Sequence, residues 1–365
     1  MPEPAIEILP EYGEVRADAQ LDWKKLAGYL HGKLPGVDGE MSVQQFRGGS
    51  SNLTYLLRFA SGREWVVRRP PFGTIPVGGH DMAREFKVLS RIWQSFKPAP
   101  RAWLFCDDTS VIGAPFFVME RRVGIVIKNR QPLPAELGDK PETFRAISEG
   151  FIDTLADLHG VDYLAAGLGD LGKPDGFLKR QITGWMARWE KAKTREVLLM
   201  NRLGDWFLEH MPAPQKPVIL HNDFYLHNLM LDLHDPGKVV GVFDWEMATL
   251  GDPMVDLGIA LAYWRDKTDV ELLAIADTEP HTMKRGFLSR DQIAERYARR
   301  TGRDLSALPF YIAWAHWKTA TVGEQLYARY LSGATTDPRY EIIGKTTPVL
   351  AQAAARVAGP LGFSA

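Results

Sequence analysis

A chain of 365 residues carries 44 basic and 45 acidic side chains, a net charge of −1. Balanced charge without a basic block offers nucleic acid and acidic membranes no electrostatic footing, so neither is an expected partner. One cysteine, Cys106, excludes an internal disulfide, and a reducing cytoplasm is the expected setting.

The first residues, Met1 to Glu7, lack the basic region and apolar core of a secretory signal. No run of about 18 apolar residues reads as a membrane span. The length allows two lobes and a large core. Residues 1–20 read as an extended arm. Residues 21–34 carry Trp23, Leu26, Ala27 and Leu30 at helical spacing, and Pro35-Gly36 ends that helix. Residues 43–46, 53–59 and 65–69 read as three strands of a meander. Its first turn holds Gly48, Gly49, Ser50, Ser51 and Asn52. Small side chains let backbone N–H groups approach phosphate, although two glycines in a hairpin also make an ordinary turn. Arg68 and Arg69 end the third strand, as phosphate cations or as a solvated strand end.

Residues 80–96 form a helical stripe of Met82, Phe86, Leu89, Ile92 and Trp93, with Glu85 in its first half. Residues 101–105 and 115–119 read as two more strands, the second ending at Met119 and entering Glu120 and Arg121. Helical spacing then dominates, over 142–159, 177–192 and 198–210. Trp185 and Trp189 lie four apart, a pair that belongs to a core more often than to a ligand cage. Residues 288–299, 310–330 and 340–357 complete a helical region. His316 and Lys318 lie in the second of these.

The chemistry is concentrated in residues 218–246. Val218-Ile219-Leu220, Leu229-Met230-Leu231 and residues 239–243 are short apolar runs, and Asp235-Pro236-Gly237-Lys238 is turn chemistry. The expectation is one small hairpin sheet with Asp223, Asn228 and Asp244 at one end. Phosphoryl transfer needs such a trio: a carboxylate to orient the accepting hydroxyl, and hard oxygen ligands for Mg²⁺.

His221-Asn222-Asp223, four residues, then Asn228, and later Asp244-Trp245-Glu246, resemble the catalytic segments of the aminoglycoside phosphotransferase and choline kinase branch of the protein-kinase-like superfamily. The branch has His-Gly-Asp where this chain has His-Asn-Asp. Residues 248–258, Ala-Thr-Leu-Gly-Asp-Pro-Met-Val-Asp-Leu-Gly, resemble a subgroup that includes the phosphotransferase domain fused to some acyl-CoA dehydrogenases.

The resemblance implies an α+β, two-lobed fold. Residues 1–120 would be a nucleotide lobe, an antiparallel sheet plus helix. Residues 121–365 would be a mainly helical lobe with a small catalytic hairpin sheet, the nucleotide lying between the two. Asp223 would be the catalytic base. Gly48, Gly49, Ser50, Ser51 and Asn52 would cover phosphates, with Arg68 in the place of the usual strand lysine and Glu85 pairing it. Met119, Glu120 and Arg121 would meet the adenine. Asn228, Asp244 and Glu246 would hold Mg²⁺, while His221 and Asp256 would support the loop. Arg180, Trp185, Arg188, Trp189, His316 and Lys318 are candidates for the acceptor site. ATP is the implied cofactor with GTP left open, and a small-molecule hydroxyl compound is the implied partner.

Three functions compete at this point. One is an ATP-dependent small-molecule kinase, its acceptor a hydroxy acid or hydroxyacyl thioester. Another is an inactive nucleotide-binding module. The third is a metal-dependent hydrolase with His221, Asp223, His227 and His234 as ligands.

Overall fold

The computed structural model describes residues 11–47, 52–72, 81–129, 131–276, 279–335 and 339–364. The architecture is α+β, an antiparallel N-terminal sheet followed by a helical region. Two compact units form. Unit 1 comprises residues 1–138, 164–168 and 226–248; unit 2 comprises residues 139–163, 169–225 and 249–365.

Unit 1 opens with β1 (Tyr12–Gly13), α1 (Trp23–Leu30), β2 (Met41–Phe46), β3 (Leu53–Phe59) and β4 (Glu64–Arg69). Then come α2 (Met82–Ile92), β5 (Ala102–Cys106), β6 (Phe116–Glu120) and β7 (Ile125–Val126). The main sheet has the order β1-β2-β3-β4-β6-β5, with every neighbour antiparallel. So part of the expected N-terminal arm is an edge strand, Tyr12 facing Phe46. Successive side chains in a strand point to opposite faces. Tyr55, Leu57 and Phe59 of β3, Trp65 and Val67 of β4, and Phe116 and Val118 of β6 therefore share one core with Leu26 and Leu30 of α1. The opposite face presents Phe117, 6.5 Å between ring centres from Phe86 of α2. With both faces covered, the central strands are almost continuously apolar.

Further along the chain lie α3 (Pro141–His159), α4 (Phe177–Ala192), α5 (Leu198–Glu209) and four short strands. These strands are β8 (Val218–Leu220), β9 (Leu229–Leu231), β10 (Val239–Val242) and β11 (Thr249–Gly251). The expected single hairpin sheet does not form. β9 pairs with β10 on one side and β7 on the other, within unit 1, whereas β8 pairs with β11 within unit 2. Residues 221–228 contain a left-handed Asn222 and a 3-10 turn, Leu226–Asn228, so the chain does not fold straight back from β8 onto β9. Backbone groups of the buried β8 still need partners, and Thr249 to Gly251 supply them.

Unit 2 continues with α6 (Pro253–Tyr263), α7 (Val270–Leu273), α8 (Arg290–Thr301), α9 (Leu308–Leu331) and α10 (Arg339–Ala358). Ten of the eleven residues of α6 are buried, as expected of a helix that is apolar all round. Its Gly258 lies against α9. A Cβ built there would sit 2.7 Å from the Tyr311 carbonyl carbon, so only glycine permits this approach.

Candidate active site

In unit 1 a group of candidate residues grows from the end of β4. Arg68 is buried, and its Nε lies 3.0 Å from Glu85 Oε2 on α2. Its Nη2 also pairs with Asp244 Oδ1. Asp244 follows β10 with φ 65°, a conformation that Asp tolerates better than most residues. The 3-10 turn Trp245–Met247 comes next and packs on α2. Trp245 fixes this turn: it is fully buried, and its indole donates to the Val242 carbonyl at 2.8 Å.

Asn228 joins Asp244 through the β9–β10 ladder. The Phe243 N–H donates to the Asn228 carbonyl at 3.0 Å. Glu246 accepts from Asn52 Nδ2 at 3.0 Å. One unit therefore carries Asn52, Arg68, Glu85, Asn228, Asp244 and Glu246. Burial opposes the Arg68 charge, but Glu85 and then Asp244 overcome it and raise the pKa. Burial pushes Glu85 up to about 7 against the Arg68 charge, and Asp244 and Glu246 add to the rise. The site is thus rich in negative charge, with one buried guanidinium at its centre.

Gly48, Gly49, Ser50 and Ser51 lie outside the described residues. Met119 is buried at the end of β6. Glu120 accepts from the Arg101 N–H at 3.0 Å, and Arg121 pairs with Glu64 at 2.6 Å. Those side chains serve the sheet.

In unit 2 the candidate residues lie in the loop after β8. Asp256, fully buried on α6, accepts from the His221 and Asn222 N–H groups, each at 2.6 Å. Behind it, His159 of α3 reaches Asp256 Oδ2 at 3.3 Å and the Tyr297 hydroxyl of α8 at 2.6 Å. Phe224 is buried against Phe151, 5.2 Å between ring centres. Between these anchors Asp223 is half-buried. Asn222 takes φ 65°, a left-handed conformation that asparagine tolerates better than most residues.

Around this loop the structure gathers Lys318 of α9 and Trp185 and Arg188 of α4. Lys318 Nζ reaches the Asn222 carbonyl at 3.5 Å and lies 5.5 Å from the Trp185 ring centre. Arg188 stacks on the same ring at 4.4 Å. Trp189 and Arg180 are engaged elsewhere. Trp189 is buried and donates to Asn201 Oδ1 at 2.7 Å. Arg180 caps carbonyls of Lys173 and Asp175. His316 is buried, its pKa driven well down by burial and by Arg265, Arg290 and Arg356.

Asn52 as a partner of Glu246, and the His159–Tyr297 pair behind Asp256, carry no sequence signal of their own, because they join residues more than 100 positions apart. The hydrolase reading finds no ligand set among the described residues. Among the described residues no three His, Cys, Asp or Glu side chains are gathered as a metal cluster. His227 instead bonds the Ile127 carbonyl at 2.9 Å.

Comparison with known proteins bears on this arrangement. Residues 42–311 match the family described as phosphotransferase enzyme family. Mouse acyl-CoA dehydrogenase family member 10 is 31% identical over 358 residues, which is 97% of this chain and 33% of the mouse protein. The chain thus spans about a third of that relative's length. A crystal structure of a candidate aminoglycoside phosphotransferase from Ralstonia eutropha superposes with a TM-score of 0.78 at 28% identity, covering 93% of this chain and 99% of the other. Aminoglycoside phosphotransferase APH(4)-Ia, solved with AMP-PNP and hygromycin B, shares the fold with a TM-score of 0.53 at 14% identity, covering 86% and 94% of the two chains.

Proposed function

Because the chain belongs to the phosphotransferase enzyme family, we propose that it moves the γ-phosphoryl group of ATP to the hydroxyl of a hydroxy acid or hydroxyacyl thioester. It is a small-molecule phosphotransferase; the nucleotide, the acceptor and the residue roles are the proposal. The observation that carries it is the Arg68–Glu85–Asp244 set, a buried cation fixed between a helix carboxylate and the acid that follows β10. AMP-PNP in APH(4)-Ia supports ATP as donor, and hygromycin B there supports a small hydroxylated acceptor. The acyl-CoA dehydrogenase relative supports an acyl-bearing acceptor.

Residues 1–120 are assigned nucleotide binding, and residues 121–365 the catalytic loop, metal ligands and acceptor. Asn52 is assigned to the phosphates, and Arg68 is their cation, held on the sheet by Glu85. The donors of Asn228, Asp244 and Glu246 are an amide and two carboxylates, the hard oxygen set that suits Mg²⁺. Bound there, Mg²⁺ supplies charge neutralisation on the β- and γ-phosphates.

Asp223 orients the acceptor hydroxyl and takes its proton as the new P–O bond forms and the bond to the ADP oxygen breaks. In a loose transition state the hydroxyl loses its proton late, so position matters more than basicity. Position is what Asp256 and Phe224 supply. The test is a panel of hydroxy acids, hydroxyacyl thioesters and sugars incubated with MgATP and read by ADP release. Acceptor-dependent ADP release with acyl compounds is expected. Release with sugars alone would move the acceptor class, and none with any acceptor would remove the phosphotransfer reading.

A further inference from the structure

Two buried indole N–H groups without acceptors and a buried ammonium with one long hydrogen bond lie beside the Asp223 loop. Trp185 Nε1 and Trp314 Nε1 are buried and have no hydrogen-bond partner among the described residues. Lys318 Nζ lies 5.5 Å from the Trp185 ring centre and 5.7 Å from that of Trp314. Lys318 and Trp314 are four apart on α9, so they share one helix face. The ammonium has three N–H donors, and its one hydrogen bond is the long one of 3.5 Å to the Asn222 carbonyl. No carboxylate among the described residues lies within ion-pair distance of it, and Lys318 is only 9% exposed.

Leaving buried donors unmatched is costly, and a buried cation without a direct counter-charge more so. A purely structural site would be expected to replace such a set by apolar side chains. Burial lowers the Lys318 pKa, while Asp223 and then Asp256 act to hold its charge. Asp256 has already committed both oxygens to the loop N–H groups and His159. The two indole N–H groups thus have no acceptor, and the ammonium has only the long bond to the Asn222 carbonyl.

We propose that Lys318, Trp185 and Trp314 form a receptor for the acyl oxygen of the phosphate-accepting molecule, a carboxylate or a thioester carbonyl. This rests on the phosphotransferase reading and deepens it, since it assigns recognition of the non-reacting end of the acceptor. The Lys318 charge also offsets the repulsion between an acid acceptor and the Asp223 carboxylate. Lys318 thereby determines specificity and does not itself take part in the chemistry.

The experiment measures binding by calorimetry with Mg²⁺ and a non-hydrolysable ATP analogue present. The ligands are the isomeric hydroxybutyrates, their coenzyme A thioesters and the corresponding butanediols, which keep the hydroxyl but lack the acyl oxygen. In the wild type at least one acyl ligand should bind about ten- to a hundredfold more tightly than its diol, the range for a charge-assisted hydrogen bond. Comparing acid with thioester identifies the source of the oxygen. Lys318→Met should erase the preference and Lys318→Arg should retain most of it, with nucleotide affinity unchanged in both. Acyl ligands binding no better than diols in the wild type would overturn the receptor, as would a preference that survives in Lys318→Met. Phosphorylation by MgATP is followed in parallel. A preference in binding without phosphate transfer leaves the receptor standing and removes phosphotransfer to these acceptors. Transfer to acids, thioesters and diols at equal kcat/KM does the reverse.

Discussion

Asp256→Asn tests the idea that one helix carboxylate sets the geometry of the Asp223 loop. Asp256 is fully buried and receives two backbone N–H groups at 2.6 Å, with His159 at 3.3 Å. Asparagine keeps the shape and one acceptor oxygen, but its amide nitrogen turns a donor toward a donor. One buried N–H is then left unmatched, which costs about 1–3 kcal/mol. Asp256→Ala strands both and should cost about 2–6 kcal/mol. With roughly 2 cal/mol/K of unfolding entropy per residue, the alanine variant should melt about 3–8 °C lower. A displacement of the loop by about 1 Å should lower turnover of the asparagine variant roughly 10²-fold. Nucleotide affinity should change little, so a titration with an ATP analogue is the internal control. Turnover and melting temperature both at wild-type values in Asp256→Asn would refute the bracing argument.

Asp223→Asn should leave MgATP affinity nearly intact while turnover falls by roughly 10²–10⁴, the range for a lost general base; collapse of affinity with normal turnover at saturation would exchange its role with that of a metal ligand. Asp244→Ala should abolish Mg²⁺-dependent nucleotide turnover, and a folded variant that retained it would place the metal elsewhere. Asn222→Ala should cost about 1 kcal/mol in urea unfolding because φ is positive there, whereas Asn222→Gly should cost less. Equal losses in the two would show that conformation is not the constraint at that position.

What could be read in the sequence follows from how local each feature is. The meander was legible because its turns and apolar runs lie within a few residues of one another. Long helices such as α4 and α9 were legible because their stripes repeat over many turns. β7, with two residues, and β11, with the unremarkable run Thr-Leu-Gly, are too short to show any period. Missing β11 left β8 without its partner, so the sequence suggested one sheet with β9 and β10. The Asp223 loop stood out because turn residues and acids are concentrated there. Of its supports, Asp256 was implied by the resemblance, but His159 and Tyr297 were not: the three meet only after three helices pack, and no spacing rule connects them. Trp185 could be read as core or as part of a ligand site, and no pattern on its own helix exposes the contact with Lys318 from α9.

Gly258 sits two residues beyond Asp256, where α6 approaches the Tyr311 backbone of α9 too closely for any Cβ. Tyr311, Trp314 and Lys318 follow one another along α9 at the spacing that keeps them on a common side. The helix seam that fixes the loop brace is therefore continuous with the helix that carries the donor cluster. Core substitutions along α6 and α9, far from any reacting atom, should be read out as altered turnover and acceptor preference before they are read out as unfolding. For anyone redesigning acceptor choice, this seam is a tuning element: small changes of side-chain volume there would shift Lys318 relative to Asp223 without altering either residue.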